Sequence, residues 1–190
     1  MMTNPAYPPM IVMGVSGCGK STVGQKLASE LGLAFIDGDD LHPRSNKDKM
    51  AAGQPLNDDD RRPWLETIGA ALAASVSAGT PAVIACSALK RSYRDLLRSR
   101  EPGTVFVHLS GSPELIQNRL DERSHEYMPP TLLASQLNTL EAIGPDEAAV
   151  EVDVSLSPDE IVAVVALRLG SLYPDSFEGI PARTSPHHIS

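Results

Sequence analysis

The sequence predicts an α/β fold, a five-stranded parallel sheet covered by helices on both faces, and three observations carry that prediction. Five short apolar runs are spaced along the chain, and the first reads as a strand buried on both faces. Segments with apolar residues at helical spacing lie between the runs. Capping residues, prolines and glycines punctuate the segments where helices should start and stop.

"MIVMGV" (10–15) is the first strand, and it breaks into glycines. A helix is expected from Lys20 to Leu31, with Val23, Leu27, Ala28 and Leu31 facing inward. "LAFID" (33–37) is the second strand. From Pro63 to about Ala78 the residues Leu65, Ile68, Leu72 and Val76 recur at helical spacing, and Gly79 supplies the stop. "PAVIACS" (81–87) is the third strand, followed by the basic amphipathic helix "ALKRSYRDLLRSR". "TVFVHLS" (104–110) is the fourth, and a helix runs from Pro113 to about Arg123. Pro129 and Pro130 interrupt the chain before "TLLASQLNTLEA" resumes as a helix. "AVEVDVS" (149–155) is the fifth strand. Ser157 then caps a last helix with Pro158 at its first position and Ile161, Val165, Leu169 and Leu172 along one face. The folded domain is expected to span 10–172, between an N-terminal extension (1–9) and a mobile tail (173–190).

Composition narrows the function. At 190 residues and 42% hydrophobic content, the chain suits one domain. A net charge of −8 excludes a general nucleic-acid binder, so an anionic ligand would need a local basic cluster. Two cysteines, Cys18 and Cys86, are too few for a disulfide framework and fit a reducing compartment. The N-terminus has no export signal and no apolar run approaches the ~18 residues of a membrane span. The expectation is a soluble cytoplasmic protein.

Gly14, Val15, Ser16, Gly17, Cys18, Gly19, Lys20 and Ser21 spell G-x-x-x-x-G-K-S between a strand and a helix, with Thr22 next. This is a phosphate-binding P-loop: its backbone N–H groups turn inward around phosphate oxygens and the helix N-terminus favours the anion. Lys20 reaches the β- and γ-phosphates, and the Ser21 hydroxyl is a Mg²⁺ ligand. The fold is therefore read as a three-layer P-loop NTPase that binds a nucleotide with Mg²⁺. A regulatory GTPase is excluded, because "NKDK" (46–49) has Lys49 where the base-recognition Asp belongs and D-x-x-G is absent.

Residues 37–64, "DGDDLHPRSNKDKMAAGQPLNDDDRRPW", carry formal charge at twelve of their twenty-eight positions. They follow the second strand at the carboxyl edge of the sheet, where such folds bind ligands. Asp37 is read as a Mg²⁺ ligand, and Asp39 as the group that accepts a proton from an attacking hydroxyl. Asn57–Asp60 read as a helix start, and Trp64 as packing.

"GVSGCGKST", the charged stretch through Leu65, "CSALKRSYRDLLR" and "SQLNTLE" together resemble the gluconokinase family, from about Met10 to Leu172. The D-G-D-x-x-H-P-x-x-N-x-x-K-M and C-S-A-L-K-x-x-Y-R blocks are the specific ones. The resemblance implies a nucleoside-monophosphate-kinase-like fold, an acceptor-binding lobe at 38–64 and a lid at 123–131. It also implies transfer of phosphate from ATP to the 6-hydroxyl of D-gluconate. His42, Arg44, Lys49, Arg61, Lys90 and Arg94 are the cations available to the gluconate carboxylate, with Lys90 and Arg94 the favoured pair. Related kinases use lid arginines, which points to Arg119 for adenine stacking and Arg123 for the transferring phosphoryl group. Many relatives carry H-F after the lid arginine, where this chain has "HEY" (125–127). "LSP" (156–158), with Pro158, should edge the adenine pocket. Gluconate is the expected partner, with no nucleic acid or membrane, and a homodimer is left open. A kinase for another small acid such as shikimate, or a silent nucleotide-binding module, are the alternatives.

Overall fold

A computed structural model of the chain describes residues 7–122 and 130–173. Its strands are β1 (Met10–Met13), β2 (Ala34–Asp37), β3 (Ala82–Ala85), β4 (Val105–Ser110) and β5 (Ala149–Asp153). The helices are α1 (Lys20–Leu31), α2 (Arg44–Ala51), α3 (Asp58–Ser77), α4 (Arg91–Arg100), α5 (Pro113–Glu122), α6 (Pro130–Thr139) and α7 (Pro158–Leu172). The strands form one parallel sheet in the order β2-β3-β1-β4-β5. Strand order reverses around β1, so the chain after β1 enters the crevice at the carboxyl edge, where the sheet can hold a ligand.

Two apolar layers follow from the two-residue period of a strand. Met10 and Val12 face a core built with Val23 and Leu27 of α1 and Val165 and Leu169 of α7. Ile11 and Met13 face the other, with Leu65, Ile68 and Leu72 of α3 and Leu97 of α4. Of the expected inward residues, only Val76 and Leu172 emerge as exposed, each at the last turn of its helix.

The structure bears out some of these expectations and corrects others. Helix α3 begins at Asp58, within the Asn57–Asp60 run read as a helix start and five residues ahead of Pro63, from which the apolar spacing runs. Asn57 and Asp60 form a reciprocal capping box there, each side chain accepting the other's backbone N–H, and Pro63 is accommodated inside the helix. The charged stretch contains a helix, α2, that its polar pattern concealed. The N-terminal extension is shorter than nine residues: Tyr7 is buried in the first core and Pro9 O accepts the N–H of Val105. Of the segment read as a tail, Tyr173 packs half-buried against that core, and 174–190 lie outside the described residues.

Arg94 is the largest correction. It is fully buried and donates through Nε to Glu147 Oε1 at 2.7 Å. One terminal nitrogen bonds the carbonyls of Ala88 (3.1 Å) and Leu89 (3.2 Å); the other bonds Ala142 O (3.1 Å) and Glu147 Oε2 (3.2 Å). A guanidinium has five N–H donors, and these bonds use every one. Arg94 therefore has nothing left for a substrate; it ties α4 to the segment between α6 and β5. Arg98 joins the same knot at 2.7 Å from Glu147 Oε1.

Burial pushes the Glu147 carboxyl up, but bonds from Arg94, the Gly144 N–H and Arg98 outweigh it and hold it at about 2. Removing one partner of a buried ion pair strands the other charge, so Glu147→Ala should cost about 3–5 kcal/mol, read by urea unfolding at pH 7. The folded-state pKa lies below the ordinary value of about 4.3, so the carboxylate's stabilisation is complete above that pH. It should be lost as pH falls towards 2, and the stability gap between wild type and Glu147→Gln should shrink over the same window.

Candidate active site

The loop between β1 and α1 is built by its glycines. Gly14 has φ +145°, and a Cβ there would sit 2.7 Å from Cys18 Sγ and 2.8 Å from Leu109 O, so no other residue fits. Gly19, with φ +94°, is the N-cap of α1 and supplies no side-chain cap. The first N–H groups of α1 are thereby left for an anion. Lys20 Nζ rests 3.1 Å from Val15 O, folded over its own loop.

Gly17, Cys18, Gly19, Thr22 and Val23 line a cavity of about 280 Å³ with Arg119, Leu156, Pro158 and Ile161. Of the residues expected on the nucleotide side, Gly17, Cys18, Gly19, Thr22, Arg119 and Pro158 meet at this cavity. Arg119 donates to Val154 O, which holds its guanidinium over the carboxyl end of β5.

At the carboxyl end of β2 the chain enters a tight 3₁₀ turn over Gly38–Leu41. Gly38 passes so close to β3 that a Cβ would lie 2.2 Å from Ala85 O, and Trp64 Nε1 donates to Gly38 O at 2.7 Å. That turn sets out the two carboxylates. Asp37 Oδ2 accepts from the Ser21 hydroxyl at 3.1 Å, and Asp37 Oδ1 accepts from the Asp39 N–H at 3.0 Å. Asp39 itself is exposed. Buried Cys86, just past the end of β3, feels the charges of both Lys20 and Asp39. Burial, the larger effect, pushes its thiol up to about 12, so Cys86 is packing and no thiolate.

Leu56, Asn57, Asp58, Asp59, Arg61 and Lys90 line a second cavity of about 490 Å³. Lys90 Nζ lies 3.1 Å from both oxygens of Asp58, whose carboxylate also takes the Tyr93 hydroxyl. The bonds from Tyr93 and Lys90 hold the Asp58 carboxyl below its ordinary range, and Asp58 in turn raises Lys90. Arg61 Nη1 reaches the Tyr93 oxygen at 3.4 Å. Asp58 and Tyr93 were not foreseen as site residues. Asp58 looked like a helix-start acid, and only the placing of Tyr93 one turn after Lys90 hinted at a shared face.

The other expected cations stand apart. Lys49 is paired with Asp60 at 2.7 Å, and Arg44, with a 92% exposed side chain, lies 3.7 Å from Asp48. His42 is corrected as a cation: burial, with Arg61 and Lys47 nearby, lowers its pKa to about 4. It is neutral at pH 7, stacked on Trp64 at 4.1 Å and hydrogen-bonded to Asn46. Arg123 and residues 123–129 of the expected lid lie outside the described residues, and Pro130 and Thr131 open α6. No group of three or more His, Cys, Asp or Glu that could hold a metal occurs among the described residues. Ser21 and Asp37 are nevertheless two adjacent hard oxygens, a set that suits Mg²⁺ sharing its shell with phosphates and water.

A P-loop on a 2-3-1-4-5 sheet with a polar second cavity defines a P-loop kinase acting on a small acceptor. The shikimate kinase family matches residues 16–162. A thermoresistant gluconokinase of Escherichia coli K12 is 44% identical over 162 residues, covering 85% of this chain and 93% of that protein. A gluconokinase of Gluconobacter oxydans is 48% identical over 153 residues, covering 80% and 86%. The crystal structure of a gluconokinase from Sinorhizobium meliloti superposes with a TM-score of 0.82 at 45% identity, covering 92% and 99%. The chain belongs to the gluconokinase family, within the shikimate kinase group.

Because Trp64 is the only tryptophan and stacks on His42, its fluorescence should report the imidazole. A transition with its midpoint near 4, absent from His42→Gln, is expected. A midpoint near the ordinary histidine value of about 6.5 would mean that the ring is solvated. The unfolded state binds more protons between these values, so His42 should erode stability as pH falls from about 6.5 towards 4.

Proposed function

We propose that the protein transfers the γ-phosphoryl group of ATP to the 6-hydroxyl of D-gluconate, yielding 6-phosphogluconate and ADP. One observation carries this reading: the Asp37–Gly38–Asp39 turn joins the two halves of the site. On one side Asp37 bonds Ser21 of the phosphate loop, and on the other Trp64 of the acceptor lobe (38–64) bonds Gly38.

In this reading Lys20 leaves the Val15 carbonyl for the β- and γ-phosphates, and the free N–H groups of α1 hold the phosphate oxygens. Arg119 and Pro158 border the adenine. Mg²⁺, held by Ser21 and Asp37, would neutralise charge on the phosphate oxygens. Lys90 and Arg61 attract the gluconate carboxylate, with Asp58 and Tyr93 offering partners to its hydroxyls. Two cations against two carboxylates, Asp58 and Asp59, suit a polyol acid better than a bare anion. Asp39 orients the primary hydroxyl and takes its proton as the new O–P bond forms and the bond to ADP breaks. The transition state is loose, so much of the value of Asp39 is positional.

The match to the shikimate kinase family favours, as a second reading, another small hydroxy acid. ADP release measured over a panel of sugar acids and shikimate separates the two; release with gluconate alone is expected.

Asp39→Asn keeps the shape and removes the charge. Its kcat should fall by roughly 10²-fold, as for a lost general base, with ATP affinity nearly unchanged. Lys90→Ala should raise the KM for gluconate roughly ten- to hundredfold, the usual cost of a lost charge-assisted contact, while that for ATP holds. Equal effects on both substrates would place Lys90 in a structural role.

A further inference from the structure

Gln136 of α6 touches the phosphate loop across 120 positions of sequence. The Ser16 N–H donates to Gln136 Oε1 at 2.7 Å, and Gln136 Nε2 donates to Ser16 Oγ at 2.9 Å. A backbone N–H can only donate, so the amide oxygen must face it and the orientation is determined. Helix α6 is itself anchored, with Leu133 buried in the first core and Leu137 packed against it, as is Leu140 just beyond the helix. Five residues on, the same segment reaches the acceptor wall. The Glu141 N–H donates to Leu89 O at 2.8 Å, and Glu141 Oε2 accepts the Arg91 N–H at 2.8 Å. Lys90, the N-cap of α4, offers no side-chain cap, so Glu141 supplies the cap from outside the helix. One short run, the last turn of α6 and the two residues after it, thus grips a corner of the phosphate cradle at one end and the residues flanking Lys90 at the other.

We propose that Gln136 is a positioning residue for phosphoryl transfer. Its amide fixes the Ser16 corner of the cradle, and the run to Glu141 fixes that corner relative to the acceptor wall at Lys90. The inference rests on the gluconokinase reading for its effect on rate, and on the two grips alone for its geometry. In-line transfer is intolerant of misalignment, since a displacement of about 1 Å can cost on the order of 10²-fold in rate. The bond made by Gln136 therefore acts on kcat, not on the affinity for either substrate.

The test is Gln136→Met, which keeps length and packing but loses both hydrogen bonds. Its kcat is expected to fall at least roughly tenfold, with the KM values for ATP and gluconate within about threefold and Tm near wild type. In a cycle with Ser16→Ala, the two losses should be non-additive, because they act through one contact. A raised KM for ATP at normal kcat would overturn the proposal in favour of direct nucleotide contact. A lowered Tm at normal kcat, or additive losses, would overturn it as well. Should wild type release no ADP with gluconate, the acceptor assignment fails, and NMR of the protein without ligands still decides the geometry. Slow exchange of the Ser16 amide that is lost in Gln136→Met, with a shift of the Arg91 amide, supports the strut. An unmoved Arg91 amide, or a Ser16 amide that already exchanges freely in wild type, refutes it.

Discussion

The buried pair of Arg94 and Glu147 is the interaction on which the acceptor half of the site depends. Desolvating a guanidinium and a carboxylate costs several kcal/mol each unless every donor and lone pair is answered. Here the answering groups come from three places: the β3–α4 connection, α4 itself and the turn before β5. Because they must converge to satisfy the charge, the pair holds the start of α4 against the 140s segment. Lys90 and Tyr93 sit on that start.

The acceptor wall works against the electrostatics of the whole molecule. A chain of net charge −8 repels anions at long range, so attraction for a carboxylate must be local. In the proposed function Lys90 and Arg61 provide it, and Asp58, paired with Lys90, keeps that cation oriented. On that proposal an incoming carboxylate would share or displace Asp58, and hydroxyl contacts would become part of the recognition. Three consecutive acids at the start of α3 therefore serve different ends: Asp60 closes the capping box, Asp58 orients the cation, and Asp59 lines the cavity.

Much of the architecture was legible in local pattern. Five apolar runs and the spacing of Leu27, Leu72 and Leu169 mark strands and inward helix faces because burial imposes periods of about 2 and 3.6 residues. The P-loop was legible because its φ angles and close approaches admit only glycine at positions such as Gly14. Helix α2 was not, since of its eight residues only Asn46 is buried and no apolar period marks it. The start of α3 was legible in Asn57–Asp60, but its continuity through Pro63 was not, since proline more often opens a helix than lies within one.

By itself, the sequence determined the fold class, the phosphate cradle and the carboxylates at the end of β2, because each depends on residues close together in the chain. Tertiary structure alone decided which cations line a cavity and which are sealed in the core. Lys90 and Arg94 lie four residues apart on one basic segment and look equivalent in sequence. One meets Asp58 at the rim of a cavity; the other is sealed against Glu147, fifty-three positions away. Nor could any local pattern pair Ser16 with Gln136. Charge says what a side chain can bind, but burial and partners distant in sequence decide what it does bind.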